Sequence, residues 1–169
     1  EFADLRVPEA LIPTGLTTRA VYPDVAVPKP TLPLTLYSDC SADLPFTASG
    51  WMGYTDAIEL DECWEENPRT GSTCIRMAYN ATYYWGGIAW QNPPNNWGDE
   101  PGGYDLSDAK ELTFWARAEN NKTIAEFKVG VRSSAPYADS TVISSGKRKL
   151  TRDWKSISVP LKGQNLSRI

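Results

Sequence analysis

The sequence contains no histidine. That absence removes Ser-His-Asp and Cys-His nucleophile systems, and with them histidine-ligated zinc and haem. Any chemistry must come from carboxylates, tyrosines, lysines or arginines. Excess positive charge is missing too: 17 Lys and Arg stand against 21 Asp and Glu, a net charge of −4 with a pI near 4.9. A nucleic acid or an anionic membrane surface calls for a basic patch, so neither is an expected partner. No apolar run reaches the length of a membrane span, and no charged-then-apolar leader is found, so any export signal is expected to lie outside a chain that opens on EFADLRV. What is present, 169 residues of which 41% are hydrophobic, suffices for one domain with a real core.

Cysteine is scarce: Cys40, Cys63 and Cys74 are the three. The stretch CWEENPRTGSTC is polar, and its Asn-Pro and Thr-Gly steps read as a turn between two strands. A bridge between Cys63 and Cys74 across that turn is favoured over two buried free thiols, and would contribute about 2–3 kcal/mol by loop closure. Cys40 is then left as a free thiol or with a partner elsewhere. Together with the sequons at Asn80, Asn121 and Asn165, the bridge points to a secreted, extracellular or cell-surface protein.

Residues 1–33 carry six prolines and no sustained period, so they read as an extended arm or linker, apolar enough in ALIPTGL and AVYPDVAV to lie along the domain or a neighbouring subunit. Residues 34–169 read as a β-sandwich domain. LTLYSD (34–39), DAIELDE (56–62), TCIRMAY (73–79), GGIAWQ (86–91), ELTFWARA (111–118), TIAEFKVGV (123–131), STVISS (140–145) and WKSISVPL (154–161) are short, rich in β-branched and aromatic residues, and divided by Gly, Pro, Asn and Asp. LSDAKE (106–111) supports one helical turn. The class is all-β, two packed antiparallel sheets.

Strand phase picks out a candidate surface. In ELTFWARA, Leu112, Phe114 and Ala116 share one face and Thr113, Trp115 and Arg117 the other. In TIAEFKVGV the apolar face is Ala125, Phe127, Val129 and Val131, opposite Glu126, Lys128 and Gly130. If these strands pair, Trp115 and Arg117 stand beside Glu126 and Lys128: an indole to stack on a sugar ring, with charges to take its hydroxyls. The competing reading is an Arg–Glu pair on a solvated face with Trp115 covered by a loop.

The stretches SGWMGY, DECWEENPRTGSTCIRM, WGGIAWQNPPNNWGDEPGGYDLSDAKELTFWARAE, EFKVGV and LTRDWKSISVPL resemble a family of secreted galactose-binding-like β-sandwich domains, similar to carbohydrate-binding modules. The likeness spans about residues 37–169. It implies a jelly-roll sandwich, no catalytic dyad and often a structural calcium ion. The family's closing strand with paired acidic residues is not found here. The expectation is therefore that this strand, half of any calcium site and the partner of Cys40 lie outside the chain.

Three tryptophans, Trp85, Trp90 and Trp97, stand in or beside the crossover WQNPPNNWGDEPGGYDLS. Trp90 or Trp97 is expected to plug a sandwich edge, and Trp85, after two tyrosines in TYYWGG, to serve as a rim platform. Two functions compete. The first is a noncatalytic polysaccharide-binding module using Trp115, Arg117, Glu126 and Lys128, with Trp85 and Gln91. The second is an assembly subunit of an extracellular polymer, its open sandwich edge completed by a neighbour's strand, for which the proline-rich arm is a natural donor. An enzyme is the weaker reading: Glu59, Asp61, Glu62, Glu65 and Glu66 crowd a turn and an exposed strand face.

Overall fold

A computed structural model describes residues 25–169. The eight strands are β1 (Thr47–Gly53), β2 (Ile58–Trp64), β3 (Cys74–Tyr79), β4 (Gly86–Gln91), β5 (Glu111–Ala116), β6 (Ile124–Val129), β7 (Ile143–Lys149) and β8 (Lys155–Pro160), with a 3-10 turn at Thr55–Ala57. Every pairing is antiparallel. β1 pairs with β4 and, nested within them, β2 with β3; β5 pairs with β8 and, nested within them, β6 with β7. This is the pattern of a ribbon rolled so that outer and inner pairs fall in opposite layers.

Contacts across the interior bear this out in both halves. Phe114 of β5 meets Phe127 of β6 edge to face, with ring centroids 4.6 Å apart. In the first half, a Cβ on Gly86 of β4 would sit 2.7 Å from the Tyr79 ring and 2.9 Å from Ile58 Cδ1. Only glycine allows the layers to approach so closely there. The core gathers Val159, Leu161 and Leu166, with Leu106, Leu112, Phe114, Val129 and Ile143 packed against them. The chain is thus an all-β antiparallel sandwich.

Strand alternation read from the sequence holds in detail: Glu111, Thr113 and Trp115 are exposed where Leu112, Phe114 and Ala116 turn inward, and β6 repeats the pattern. The pairing inferred from it does not. β5 and β6 are not neighbours: Trp115 lies opposite Ser156 of β8, and Glu126 opposite Lys147 of β7. Because Phe114 and Phe127 face each other across the interior, the outer faces bearing Trp115 and Glu126 look in opposite directions. The expected joint surface is therefore split.

LTLYSD is not a strand. Asp39 and Cys40 have φ of 41° and 61°, which no strand accommodates. The segment crosses the β2–β3 ladder using side chains: the Tyr37 hydroxyl donates to the Glu62 carbonyl (2.8 Å) and pairs with Thr73 Oγ1 (2.8 Å), while Asp39 accepts from the Ser72 and Thr73 amides (2.8 and 3.0 Å). LSDAKE makes one turn, closed by Ala109 N–H donating to the Leu106 carbonyl at 2.8 Å. Of the proline-rich arm, residues 1–24 lie outside the described residues. Residues 25–33 have no regular structure and are tied to the domain by Asp105 N–H donating to the Pro28 carbonyl (2.8 Å) and by a Lys29–Asp108 ion pair (2.8 Å).

The disulfide is also corrected. Cys40 bonds to Cys63 with Cα atoms 5.0 Å apart, and Cys74 is free. Cys74 is in register with Trp64, whereas Cys63 falls in the stretch between Asp61 and Trp64 where the register shifts, so no ladder position sets it opposite Cys74. The crossing segment anchored by Tyr37 and Asp39 delivers Cys40 to Cys63 instead. The loop closed spans 23 residues of sequence separation, and its loss through Cys40→Ser is expected to cost about 3 kcal/mol by loop-closure entropy. Peptide mapping without reduction should find Cys40 joined to Cys63 and a single alkylatable thiol at Cys74 after denaturation; a 63–74 peptide would contradict the arrangement.

Asp139 is a carboxyl whose titration is governed by burial. Desolvation raises its pKa above the ordinary 3.8, only partly offset by the Val131 amide donating to it at 2.6 Å. The sign follows directly. A carboxyl whose folded pKa is raised favours the fold in its protonated form, and that contribution is lost as pH climbs from 3.8 through the raised folded value. Asp139→Asn keeps an acceptor for Val131 and removes the buried charge. We expect it to raise the melting temperature at neutral pH and to have no such effect near pH 3.5. A lower melting temperature at neutral pH would show that the charged hydrogen bond outweighs its desolvation.

Candidate functional site

The outer face of β5 and β8 is occupied. Trp115 is 47% exposed, and the Arg69 guanidinium lies 4.3 Å from its ring centroid. Arg69 comes from the β2–β3 loop, which folds over this face: Trp154 Nε1 donates to the Asn67 carbonyl at 3.2 Å. Arg117 lies over the Trp154 ring at 5.9 Å. Arg76 stacks on Trp64 at 4.7 Å and pairs with Glu119 at 3.5 Å. Three tryptophans thus each carry an arginine, an arrangement worth about 0.5–1 kcal/mol per exposed pair. It seals the first half of the chain against the second. Cys74 borders it, its thiol pushed up by burial against the opposing pull of Arg117.

The remaining expected ligand residues also have local partners. Glu126 accepts from Ser144 Oγ at 2.6 Å and pairs with Lys128 at 3.5 Å; the serine bond, more than the lysines, holds its carboxyl below the ordinary range. Gln91 is buried, donating to the Asn96 carbonyl (2.8 Å) and accepting from Ser49 (2.9 Å). It shapes the crossover from inside. Trp90 is partly exposed, its indole donating to Glu62 at 2.8 Å. Of the candidate carboxylates, Glu62 serves Trp90 and Asp61 accepts from the Cys63 amide.

Trp85 is different. It belongs to a tip where the β1–β2 turn meets the β3–β4 loop. The ladder of β1 and β4 ends at the pair Gly53–Gly86, and the next residues, Tyr54 and Trp85, are joined by Tyr54 N–H donating to the Trp85 carbonyl at 2.9 Å. Gly53 makes this approach: its φ is 71°, and a Cβ there would run into that carbonyl. The Trp85 ring folds back over Gly87 beside Met52, both 3.7 Å from where a Gly87 Cβ would stand. Tyr84 packs on Tyr54 with centroids 5.3 Å apart. Tyr83 is 92% exposed, Tyr84 69%, Trp85 66% and Tyr54 46%. Four aromatic rings at one turn, held by backbone geometry and open to water, are a patch that calls for a ligand. The signal in the sequence is the run TYYW in a loop, where alternation cannot bury consecutive rings. Tyr54, Tyr83 and Tyr84 are the site residues that strand phase alone missed.

Among the described residues, no three His, Cys, Asp or Glu side chains converge as a metal site. No helix among them is long and apolar enough to cross a membrane. Searches against protein-family models, characterised proteins and solved structures returned no significant match.

Proposed function

We propose that this chain is a noncatalytic polysaccharide-binding module of an extracellular or cell-surface protein, in keeping with its resemblance to galactose-binding-like carbohydrate modules. The observation that carries the reading is the exposed tip of Tyr54, Tyr83, Tyr84 and Trp85. Rings that stay in water cost solvation free energy unless a ligand covers them, and the axial C–H face of a pyranose matches an aromatic face in size and polarity. The Cys40–Cys63 bridge supports an oxidising environment. Trp115, with Arg69 over one face of its ring, supports the sandwich rather than the ligand.

Native electrophoresis in gels containing soluble polysaccharides tests this. The wild-type chain should be retarded in at least one gel, and Tyr84→Ala should restore its mobility to that in a blank gel. Migration unaltered by every polysaccharide, with self-association in sizing experiments, would instead favour the assembly reading.

A further inference from the structure

We infer that the aromatic tip takes a single, uncharged glycan chain free in solution, and neither a crystalline polysaccharide face nor a polyanion. This rests on the proposed function and names its ligand class. Two observations carry it. The first is ring geometry: Tyr54 and Tyr84 are inclined by 46° at 5.3 Å. A crystalline face presents its sugar rings in one plane, and adsorption to it needs coplanar aromatics. Inclined rings instead suit a chain whose successive units rotate about their linkages.

The second observation is charge. Residues 50–60 and 78–90, which build the tip and its approaches, contain no Lys or Arg; Asp56 and Glu59 are their only charged groups. The nearest arginine in sequence, Arg76, is committed to Trp64 and Glu119. A uronate or sulfate would find no countercharge on these two segments, only the carboxylates of Asp56 and Glu59. Neutral groups are available instead. Among the described residues, the hydroxyls of Tyr54, Tyr83 and Tyr84 make no internal hydrogen bond, which leaves them for sugar hydroxyls.

The experiment compares three kinds of matrix with the intact chain. Soluble neutral chains are a mixed-linkage β-glucan, a xyloglucan and a galactomannan. Crystalline solids are microcrystalline cellulose and chitin, assayed by depletion from the supernatant. Polyanions are alginate and polygalacturonate, assayed at 20 and 300 mM NaCl. The expected result is binding to at least one soluble neutral chain, insensitive to salt and lost in Tyr84→Ala/Trp85→Ala. Depletion by the crystalline solids should be absent, and affinity for the polyanions at least tenfold weaker. Adsorption to the solids, or tighter salt-sensitive binding to a polyanion, would overturn the ligand class while leaving a glycan-binding module. Silence on all three matrices would overturn the proposed function itself. Binding retained by the double variant would move the site away from the tip.

Discussion

Phe114→Ala is expected to destabilise the domain by about 3–5 kcal/mol, the usual cost of truncating a core phenylalanine. Its ring closes the contact between β5 and β6 at 4.6 Å from Phe127 and packs against the cluster of Val159, Leu161 and Leu166. Such a loss is a large fraction of the stability of a domain this size, so much of the variant should be unfolded at 37 °C. Trp115→Ala, one residue along, should cost only about 1–2 kcal/mol: the ring is half exposed, and what is lost is the Arg69 stack and partial burial. Urea unfolding of both variants makes the comparison. Equal losses would mean that the two faces of β5 are not inner and outer, and the sandwich as described would be wrong.

Trp85→Ala should have the opposite profile. The ring is 66% exposed and rests on Gly87, so its removal should leave the melting temperature nearly unaltered. Affinity for polysaccharide should fall by about 1–3 kcal/mol, roughly fivefold to 150-fold, by analogy with the stacking of nucleobases on aromatic side chains. Gly53→Ala offers a second route to the same loss with every ring intact. A methyl group there collides with the Trp85 carbonyl, and φ of 71° disfavours alanine. The tip should be displaced and binding weakened. Isothermal titration with the retarding polysaccharide reads both effects. Trp85→Ala binding as tightly as wild type would remove the tip from the ligand.

The strands were largely legible in the sequence because their alternation is local. GGIAWQ reads as a strand over residues 86–91 and forms β4 there, and Phe114 and Trp115 take the inner and outer positions that their phase dictates, whereas β1 (TASGWMG, Thr47–Gly53) has no such alternation and is not among the expected strands. Pairing was not legible, because alternation fixes which face a residue shows but not which strand lies beside it. Hence Trp115 and Glu126, both outward, were expected together and lie on opposite sides. The disulfide failed for a related reason. A turn between Cys63 and Cys74 suggests a bridge, yet Cys74 is in register with Trp64 while Cys63 lies where the register of β2 shifts, and the partner arrives from Cys40 on a segment held by Tyr37 and Asp39. Of the site, Trp85 was visible as a ring in a loop. Tyr54 was not, since it reaches Tyr84 only through the Gly53 turn.

The central claim is that sugar contacts the aromatic tip while the tryptophans beneath the arginines hold the sandwich together. The most direct test follows the indole N–H resonances of all seven tryptophans during titration with an oligosaccharide of the retarding glycan. After assignment by single substitutions, the signal of Trp85 should move with saturating amplitude. Those of Trp64, Trp115 and Trp154, each stacked by an arginine, should stay within line width. Saturating shifts at Trp115 and Trp154 with Trp85 unmoved would place the ligand on the sheet face and contradict the account.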